Sequence, residues 1–344
     1  MTTVFLTGAS GYIGKHITLQ LLNAGYTVRA SVRSNSKRAE VVEALRSHLA
    51  DPALAETHLS FVELDLTSDA GWAEALVGVD ALLHTASPFT IDPVKDEDVL
   101  IRPAVDGTLR ALRAAHAAGV RRVVLTSSVA AIQGRQLPET MAEFDESMWT
   151  DVNSPLGSDP YTKSKTLAEE AAWDFISQEA PEMLLTTINP SLVLGAPLDR
   201  NYGTSVAVLE RLLSAKDPAL PDVSFSIVDV KDVATLHVQS LDLAETAGQR
   251  YIAVAGALTF IEMAKVLKAA YPKRKIVTRQ APKFLLQVLA LFDGQIKSIL
   301  PSLGKRVGIS SAKAQSAFAL QFIAPEQSIV ETAAFLLQEA PVHP

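Results

Sequence analysis

A glycine-rich turn lies directly after the first apolar segment of the chain. Residues 3–7 read as a short buried strand, residues 7–14 (Thr-Gly-Ala-Ser-Gly-Tyr-Ile-Gly) form the turn, and residues 13–24 carry apolar side chains at helical spacing. In such a turn the first glycine permits the tight bend, the second lets the backbone approach a pyrophosphate, and the third lets the helix pack closely on the strand. The free N–H groups at the start of the helix attract the anion. The order strand, turn, helix therefore predicts a dinucleotide site with contacts from Gly8, Ser10, Gly11, Tyr12, Ile13 and Gly14.

Short apolar segments alternate with helical patterns over the first half of the chain, and further strands are predicted at residues 26–33, 59–64, 81–84 and 122–126. This alternation is typical of a parallel sheet with helices on both faces, in which the strand ends meet along one crevice. After about residue 190 the pattern loosens, because proline and glycine become frequent.

The sequence therefore predicts an α/β protein with a Rossmann-type, doubly wound parallel sheet and a smaller C-terminal substrate lobe. The dinucleotide-binding domain is predicted over residues 1–190. Residues 226–245 are predicted to return to it, because a strand-then-helix pattern reappears there. Residues 191–344 are predicted to form mainly the substrate-binding lobe.

Composition and charge exclude several classes of protein. The 344 residues carry a formal net charge of -7, and no basic stripe offers a surface for nucleic acid. The chain has no cysteine and its seven histidines form no cluster with metal-ligand spacing, so neither a disulfide nor a metal site is expected. The most apolar segment, residues 284–292, is too short to span a bilayer, which requires roughly 20 residues, and no signal peptide precedes the first strand. We therefore expect a cytoplasmic monomer or homodimer whose partner is a small molecule, not nucleic acid or a membrane.

The end of the second strand indicates which dinucleotide is bound. An acidic residue about 20 positions after the glycines would bind the ribose hydroxyl of NAD. Here Arg33 follows Gly14 by 19 residues, Lys37 lies close by, and no carboxylate appears before Glu40. A guanidinium can grip a ribose 2′-phosphate with two hydrogen bonds. Arg33 and Lys37 therefore predict NADPH/NADP+ as the cofactor, the alternative being a solvated basic loop.

Two further strand ends carry candidate cofactor contacts. Asp65, followed by Leu66, could accept a hydrogen bond from the adenine amino group, or it could cap a helix. The small residues after the fourth strand would let the backbone approach the ribose and pyrophosphate; they are Thr85, Ala86 and Ser87.

A tyrosine and a lysine four residues apart form the candidate proton-transfer pair. Tyr161 and Lys165 would lie on one face of a helix, and the ammonium would lower the pKa of the phenol toward the working pH. If the pair transfers a proton to the carbonyl group of a substrate, a second hydroxyl is needed to polarise that carbonyl. Ser128 or its neighbour Ser127 can do so from the end of the fifth strand. A second Tyr-x-x-x-Lys begins at Tyr271, but the next residue is proline, which pushes the tyrosine away from helical geometry.

These motifs resemble those of the extended short-chain dehydrogenases/reductases. The resemblance is to the branch of plant dihydroflavonol and cinnamoyl-CoA reductases and microbial aldehyde/ketone reductases, and it runs nearly end to end. It implies that Ser128, Tyr161 and Lys165 form a catalytic triad and that Arg33 reads NADPH. It also implies that a loop binds the nicotinamide carboxamide through Pro190, Ser191, Leu192 and Val193.

The function expected from these features is NADPH-dependent reduction of an aldehyde or ketone to an alcohol, with Tyr161 as the proton donor. A nucleotide-sugar epimerase or dehydratase of the same fold is one alternative, and a non-enzymatic NADP-sensing regulator is another. Candidate pocket residues, each of which could equally be ordinary packing, are Phe89, Ile91, Met141, Leu156, Tyr202, Val223 and Phe225.

Overall fold

Twelve strands are present in the computed structural model, which describes residues 1–87, 96–291 and 300–338. The strands are β1 (Thr3–Thr7), β2 (Thr27–Val32), β3 (Leu59–Glu63), β4 (Ala81–His84), β5 (Arg122–Thr126), β6 (Glu143–Phe144), β7 (Leu184–Pro190), β8 (Leu192–Leu194), β9 (Ser224–Asp229), β10 (Gln249–Ala253), β11 (Gly256–Thr259) and β12 (Gly308–Ile309). Seven of them form a large sheet in the order β10-β7-β5-β4-β1-β2-β3. Every pairing in this sheet is parallel. The chain order reverses between β1 and β4, which is where ligands bind in sheets of this kind.

Helices cover both faces of the large sheet, and others belong to the smaller unit described below. They are α1 (Tyr12–Asn23), α2 (Asn35–Arg46), α3 (Leu54–Thr57), α4 (Trp72–Ala75), α5 (Asp98–Ala117), α6 (Ala130–Gln133), α7 (Pro160–Gln178), α8 (Thr204–Ser214), α9 (Val230–Gln239), α10 (Phe260–Ala270), α11 (Lys283–Leu289), α12 (Ala312–Ala317) and α13 (Pro325–Leu337). Because side chains alternate along a strand, Val4 and Leu6 of β1 pack with α1 and α9 on one face. Phe5 packs with α5 and α7 on the other. This confirms the predicted doubly wound α/β fold.

The chain after β7 builds a second, smaller unit. β8 and β9 pair in parallel and β11 joins β9 antiparallel, so these three strands form a separate sheet. A hydrophobic cluster from β8, β9, α8, α10 and α13 fills this unit. Residues 226–245 divide between the two units: β9 belongs to the small sheet, α9 packs against α1, and the following strand, β10, extends the large sheet.

Within the described residues, the structure contains no helix long and apolar enough to cross a membrane. The most apolar helix-forming segment predicted from sequence includes α11, which ends at Leu289 after seven residues.

Candidate active site

The glycine turn between β1 and α1 is tightly packed. Gly8 has a φ of 74°, in the left-handed region that favours glycine, and its carbonyl accepts a hydrogen bond from the Gly11 N–H at 2.9 Å. A Cβ on Gly14 would lie 2.2 Å from the Gly8 oxygen. Only glycine therefore lets α1 start this close to the end of β1. α1 has no side-chain cap, so its first N–H groups can serve an anion.

The other residues of the turn have mixed surroundings. The Tyr12 hydroxyl donates to the carbonyl of Gly195 at 2.7 Å, so this side chain ties α1 to the segment after β8. Ile13 packs partly buried against the core beside α1. The Ser10 carbonyl accepts from the Asn201 side chain at 3.3 Å.

The end of β4 is fixed against the same turn. The Thr7 hydroxyl contacts His84 Nδ1 at 2.8 Å and accepts hydrogen bonds from the N–H groups of Thr85 at 3.1 Å and Ala86 at 3.2 Å. The Thr85 hydroxyl in turn donates to the Thr7 carbonyl at 2.6 Å. A Cβ on Gly8 would meet Thr85 and Ala86 at 2.8 Å. The two strand ends thus form one rigid edge of the crevice, as a dinucleotide site requires.

The predicted 2′-phosphate site lies at the end of β2. Arg33 is exposed directly after the strand. Lys37, in the first turn of α2, pairs with Glu40 at 2.7 Å. The structure thus brings two cations to the predicted position and also places the Glu40 carboxylate against one of them.

Asp65 and Leu66 follow β3. One carboxylate oxygen of Asp65 accepts from the N–H of Thr67 at 2.8 Å and from its hydroxyl at 2.7 Å. These hydrogen bonds lower the pKa of Asp65, and Arg33 and Arg110 contribute in the same direction. Asp65 therefore stabilises its own turn and also faces Arg33. The Leu66 side chain packs against Gly107 of α5, where an added Cβ would lie 3.2 Å away.

The proton-transfer pair lies on α7, close to the end of β5. α7 begins where Asp159 caps it, accepting from the Thr162 N–H at 3.0 Å, with Pro160 at the first helical position. The Tyr161 hydroxyl lies 3.5 Å from Ser128 Oγ. The second Tyr-x-x-x-Lys is different, because Tyr271 lies just past the end of α10 with a ψ of 67°. The prediction that only the first copy is helical is confirmed.

The two serines at the end of β5 point in different directions. Ser127 Oγ donates to Glu169 at 2.5 Å. Ser128 Oγ accepts from the Ala130 N–H at 3.1 Å and lies 3.5 Å from both the Pro190 carbonyl and the Tyr161 hydroxyl. Of the two candidates that sequence reasoning left open, the structure brings Ser128 to Tyr161.

Burial dominates the pKa values of the pair. It lowers the pKa of Lys165 to about 8, although the charge of Glu169 acts in the opposite direction. Burial raises the pKa of Tyr161, and the hydrogen bond with Ser128 offsets part of this rise. Burial of the phenol is therefore the largest influence on the pKa of Tyr161, and the expected lowering of that pKa by Lys165 stays a prediction.

A small cavity of about 10 Å³ lies between Lys165 and the end of β4. Its lining comes from four places in the fold, namely the end of β4, α5, the end of β5 and α7: Ala86, Ser87, Thr108, Leu125, Thr126, Ser127, Lys165, Ala168 and Glu169. The loop predicted to bind the carboxamide is adjacent, since the Pro190 carbonyl accepts from the Val129 N–H at 3.0 Å and the Ser191 N–H donates to Ala253 at 3.2 Å. Leu192 and Val193 then begin β8.

Three of the predicted substrate residues contact side chains of the second unit. Tyr202 donates to Glu210 at 2.5 Å and, with Phe335, lines a cavity of about 240 Å³ in the second unit. Val223 is buried in a small cluster with Ala281, Leu286 and Leu303, and Phe225 stacks edge-on against Phe260. These contacts are compatible with ordinary packing, and a role in substrate binding stays a prediction for these residues.

The remaining pocket predictions are scattered. Met141 packs near α6 and Leu156 is exposed. Phe89 and Ile91 lie outside the described residues. In the part of the chain that the structure describes, no group of three side chains is placed to hold a metal ion.

Sequence reasoning missed three residues beside the site: Glu169, Asn189 and Arg250. They form a buried polar network behind Ser127 and Ser128. One signal was available, because Glu169 follows Tyr161 and Lys165 by eight and four residues and so shares their helix face.

A parallel sheet with a glycine turn at its switch point, beside a serine, tyrosine and lysine, defines a dinucleotide-dependent oxidoreductase. The model of the NAD dependent epimerase/dehydratase family matches residues 4–255. Cinnamoyl-CoA reductase CAD2 from Medicago truncatula is 36% identical over 79% of this chain and 82% of that protein. Ketoreductase azaE from Aspergillus niger is 36% identical over 78% of this chain and 82% of that protein.

Among solved structures, yeast methylglyoxal/isovaleraldehyde reductase Gre2 in complex with NADPH has a TM-score of 0.80 at 27% identity, covering 98% of each chain. The chain therefore belongs to the NAD dependent epimerase/dehydratase family, and within it to the reductases of the extended short-chain dehydrogenase/reductase type.

Proposed function

We propose that this protein reduces an aldehyde or ketone to an alcohol with NADPH, and that Tyr161 donates the proton. The observation that carries the proposal is the approach of the Tyr161 hydroxyl to Ser128 Oγ at 3.5 Å, at the carboxyl edge of the sheet. Lys165 lies one turn further along the same helix. A hydroxyl that polarises a carbonyl and a phenol that protonates it are the two groups that this reduction needs.

The glycine turn supports the cofactor assignment. A side chain at Gly8 or Gly14 would collide with backbone atoms, so the turn keeps the backbone bare where a pyrophosphate would approach. Arg33 and Lys37 would hold the 2′-phosphate, and residues 190–193 would hold the carboxamide. When bound, NADPH supplies the hydride.

The side chains then have separate roles. Ser128 orients the carbonyl oxygen and donates a hydrogen bond to the negative charge that develops on it. Tyr161 transfers its proton to that oxygen. Lys165 is a cation within the same site, so it stabilises the phenolate left behind. The reverse oxidation uses the same groups.

The named activities of the relatives support this substrate class, since cinnamoyl-CoA reductase, ketoreductase and methylglyoxal/isovaleraldehyde reductase all act on carbonyl compounds. The epimerase alternative is less well supported, because Arg33 occupies the position where an acid would bind NAD.

The test follows loss of NADPH absorbance with aryl ketones, short aldehydes, β-keto esters and a dihydroflavonol, with NADH run in parallel. We expect NADPH to be preferred and Tyr161→Phe to lose at least about 100-fold in kcat, the usual contribution of a general acid. Tyr271→Phe is the matched control, because it removes a hydroxyl from the non-helical copy of the motif. NADPH binding without turnover would favour the sensor, and preference for NADH would reopen the epimerase alternative.

The lysine has its own matched control. Lys163 pairs with Glu97 at 2.8 Å, on the other side of α7. We expect Lys165→Ala to abolish most activity and Lys163→Ala to retain it. Equal losses would contradict the assignment of Lys165.

A further inference from the structure

A buried carboxylate lies one helical turn beyond Lys165. Glu169 is 0% exposed, and its two oxygens accept hydrogen bonds from donors on four different segments. The donors are Ser127 Oγ at 2.5 Å, Asn189 Nδ2 at 2.7 Å, Thr187 Oγ1 at 2.8 Å, Arg250 Nε at 2.8 Å and Nη2 at 3.4 Å, and Trp173 Nε1 at 3.4 Å. Such a complete set of donors compensates for the burial of a charge.

The charge partner, Arg250, is held equally firmly. Its guanidinium donates to the carbonyls of Glu146 at 2.9 Å and Met148 at 2.7 Å and lies 3.7 Å from the centre of the Trp149 ring. Neither Glu169 nor Arg250 can therefore turn toward another partner without leaving a buried charge unpaired, which is strongly destabilising.

This network meets the site at three points. Ser127, which donates to Glu169, is the neighbour of Ser128 in the chain. Asn189 donates to Glu169 and also to the Ser128 carbonyl at 3.1 Å. Glu169 and Lys165 line the same small cavity. The end of β5, the end of β7 and helix α7 are thus joined through one carboxylate.

We propose that Glu169 is a positioning residue for the reduction. Its carboxylate holds Ser127 and Ser128 against α7 through hydrogen bonds, so that the Ser128 hydroxyl stays aligned with Tyr161. It also provides the negative charge that faces Lys165. This inference rests on the proposed function above.

The donors explain why a carboxylate is needed at this position. All the groups that face Glu169 are donors, and an ionised carboxylate only accepts. A glutamine would turn its own NH₂ group toward Asn189 or Arg250 and leave donors unpaired. Glu169→Gln therefore removes both the negative charge and some of the hydrogen bonds that hold Ser127 and Ser128 against α7.

In the part of the chain that the structure describes, few other charged groups face Lys165. His84, on β4, lies close enough to feel its charge and is neutral, since burial lowers the pKa of His84 to about 3. On β10, Arg250 faces Glu169. α5 packs along α7, but the ion pairs between the two helices lie at the exposed surface. Arg113 of α5 contacts Glu179, and Glu97, which precedes α5, contacts Lys163. Among the charged groups that the structure describes, Glu169 is the anion that raises the pKa of Lys165 and so favours its protonated form.

The experiment compares Glu169→Gln with Glu170→Gln, which changes the neighbouring, partly buried carboxylate on the same helix. We expect Glu169→Gln to reduce kcat by about tenfold or more, while the Kd for NADPH changes less than about threefold. The alkaline limb of the kcat/KM profile should move about one pH unit lower, because loss of the Glu169 charge lowers the pKa of Lys165. The two groups lie about 6 Å apart across one helical turn, and Arg250 already neutralises part of the Glu169 charge. Glu170→Gln should alter neither quantity.

A purely structural role would lower the folded fraction without moving the pH profile, so activity is normalised to folded protein by NADPH titration. Ser127→Ala provides a second, milder variant that keeps the charge. It should lower kcat and leave the alkaline limb in place. The inference would be overturned if Glu169→Gln left both kcat and the alkaline limb unchanged. It would also be overturned if the loss of activity in Glu169→Gln disappeared after normalisation to folded protein.

Wild-type protein and Tyr161→Phe are measured in the same assay. Wild-type turnover with an inactive Tyr161→Phe and a fully active Glu169→Gln would refute only the role of Glu169. Absence of wild-type turnover across the carbonyl panel would refute the proposed function and this inference with it.

Discussion

Gly14 offers a sharp test of how closely α1 packs on the glycine turn. In Gly14→Ala the new Cβ would lie 2.2 Å from the oxygen and 2.9 Å from the carbon of Gly8, and 3.0 Å from Ala9 Cα. All three are backbone atoms, and Gly8 cannot retreat because Thr85 and Ala86 lie against it. α1 would have to move by about 1 Å to restore ordinary contact distances.

The free energy of unfolding should fall by about 2 kcal/mol. Alanine is about 1 kcal/mol better than glycine within a helix, but overpacking against rigid neighbours costs about 3 kcal/mol. In a chain of this length that net loss lowers Tm by roughly 3 °C. NADPH affinity should fall about tenfold or more, because a shift of α1 by 1 Å lengthens charge-assisted hydrogen bonds worth about 1.5–3 kcal/mol each.

The assay combines thermal unfolding with fluorescence titration of NADPH. Gly203→Ala is the matched control, since Gly203 has open space around its Cβ position and an ordinary φ of -77°. Gly203 is the N-cap of α8, where glycine is better than alanine, so this control should lose less than about 1 kcal/mol and should bind NADPH as the wild type does. If Gly14→Ala melted and bound NADPH as the wild type does, the reasoning from the close approach to Gly8 would be wrong.

Two further predictions concern the cofactor and the pH dependence of stability. Arg33→Ala should weaken NADPH binding by about 10- to 100-fold, from lost charge-assisted hydrogen bonds, and leave NADH binding unchanged; titrations of both dinucleotides check this, and equal losses would contradict it. Burial lowers the pKa values of His16 and His237 to about 4 and of His84 to about 3, from 6.5, so the unfolded chain binds more protons below pH 6.5. The free energy of unfolding should therefore fall as the pH decreases from about 6.5 to 4, by about 1 kcal/mol per pH unit for each histidine. Burial raises the pKa of Asp232 to about 6, so its contribution to the free energy of unfolding offsets that of one histidine. Urea denaturation at pH 7 and pH 5 measures the net change, and equal stability at the two pH values would refute the prediction.

Much of the fold and part of the site could be predicted from local sequence signals. The glycine turn follows an apolar strand and opens a helix, so its geometry depends on residues within one short segment. Tyr161 and Lys165 share a helix face through their spacing, and Pro272 marks the second copy of the motif as non-helical. Arg33 is found by counting along the chain from Gly14. Each of these features depends on contacts between near neighbours in sequence, which local periodicity and turn chemistry encode.

The features that only the tertiary structure decided depend on contacts between distant segments. Sequence could not choose between Ser127 and Ser128, because the choice depends on Glu169, which lies 42 residues beyond Ser127. Arg250 completes that network from a further 81 residues away. The upward direction of the Tyr161 pKa likewise follows from burial by the assembled lobes, and no spacing of residues reports desolvation. The sequence by itself determined which chemical groups the site contains, and packing determined which of them face one another.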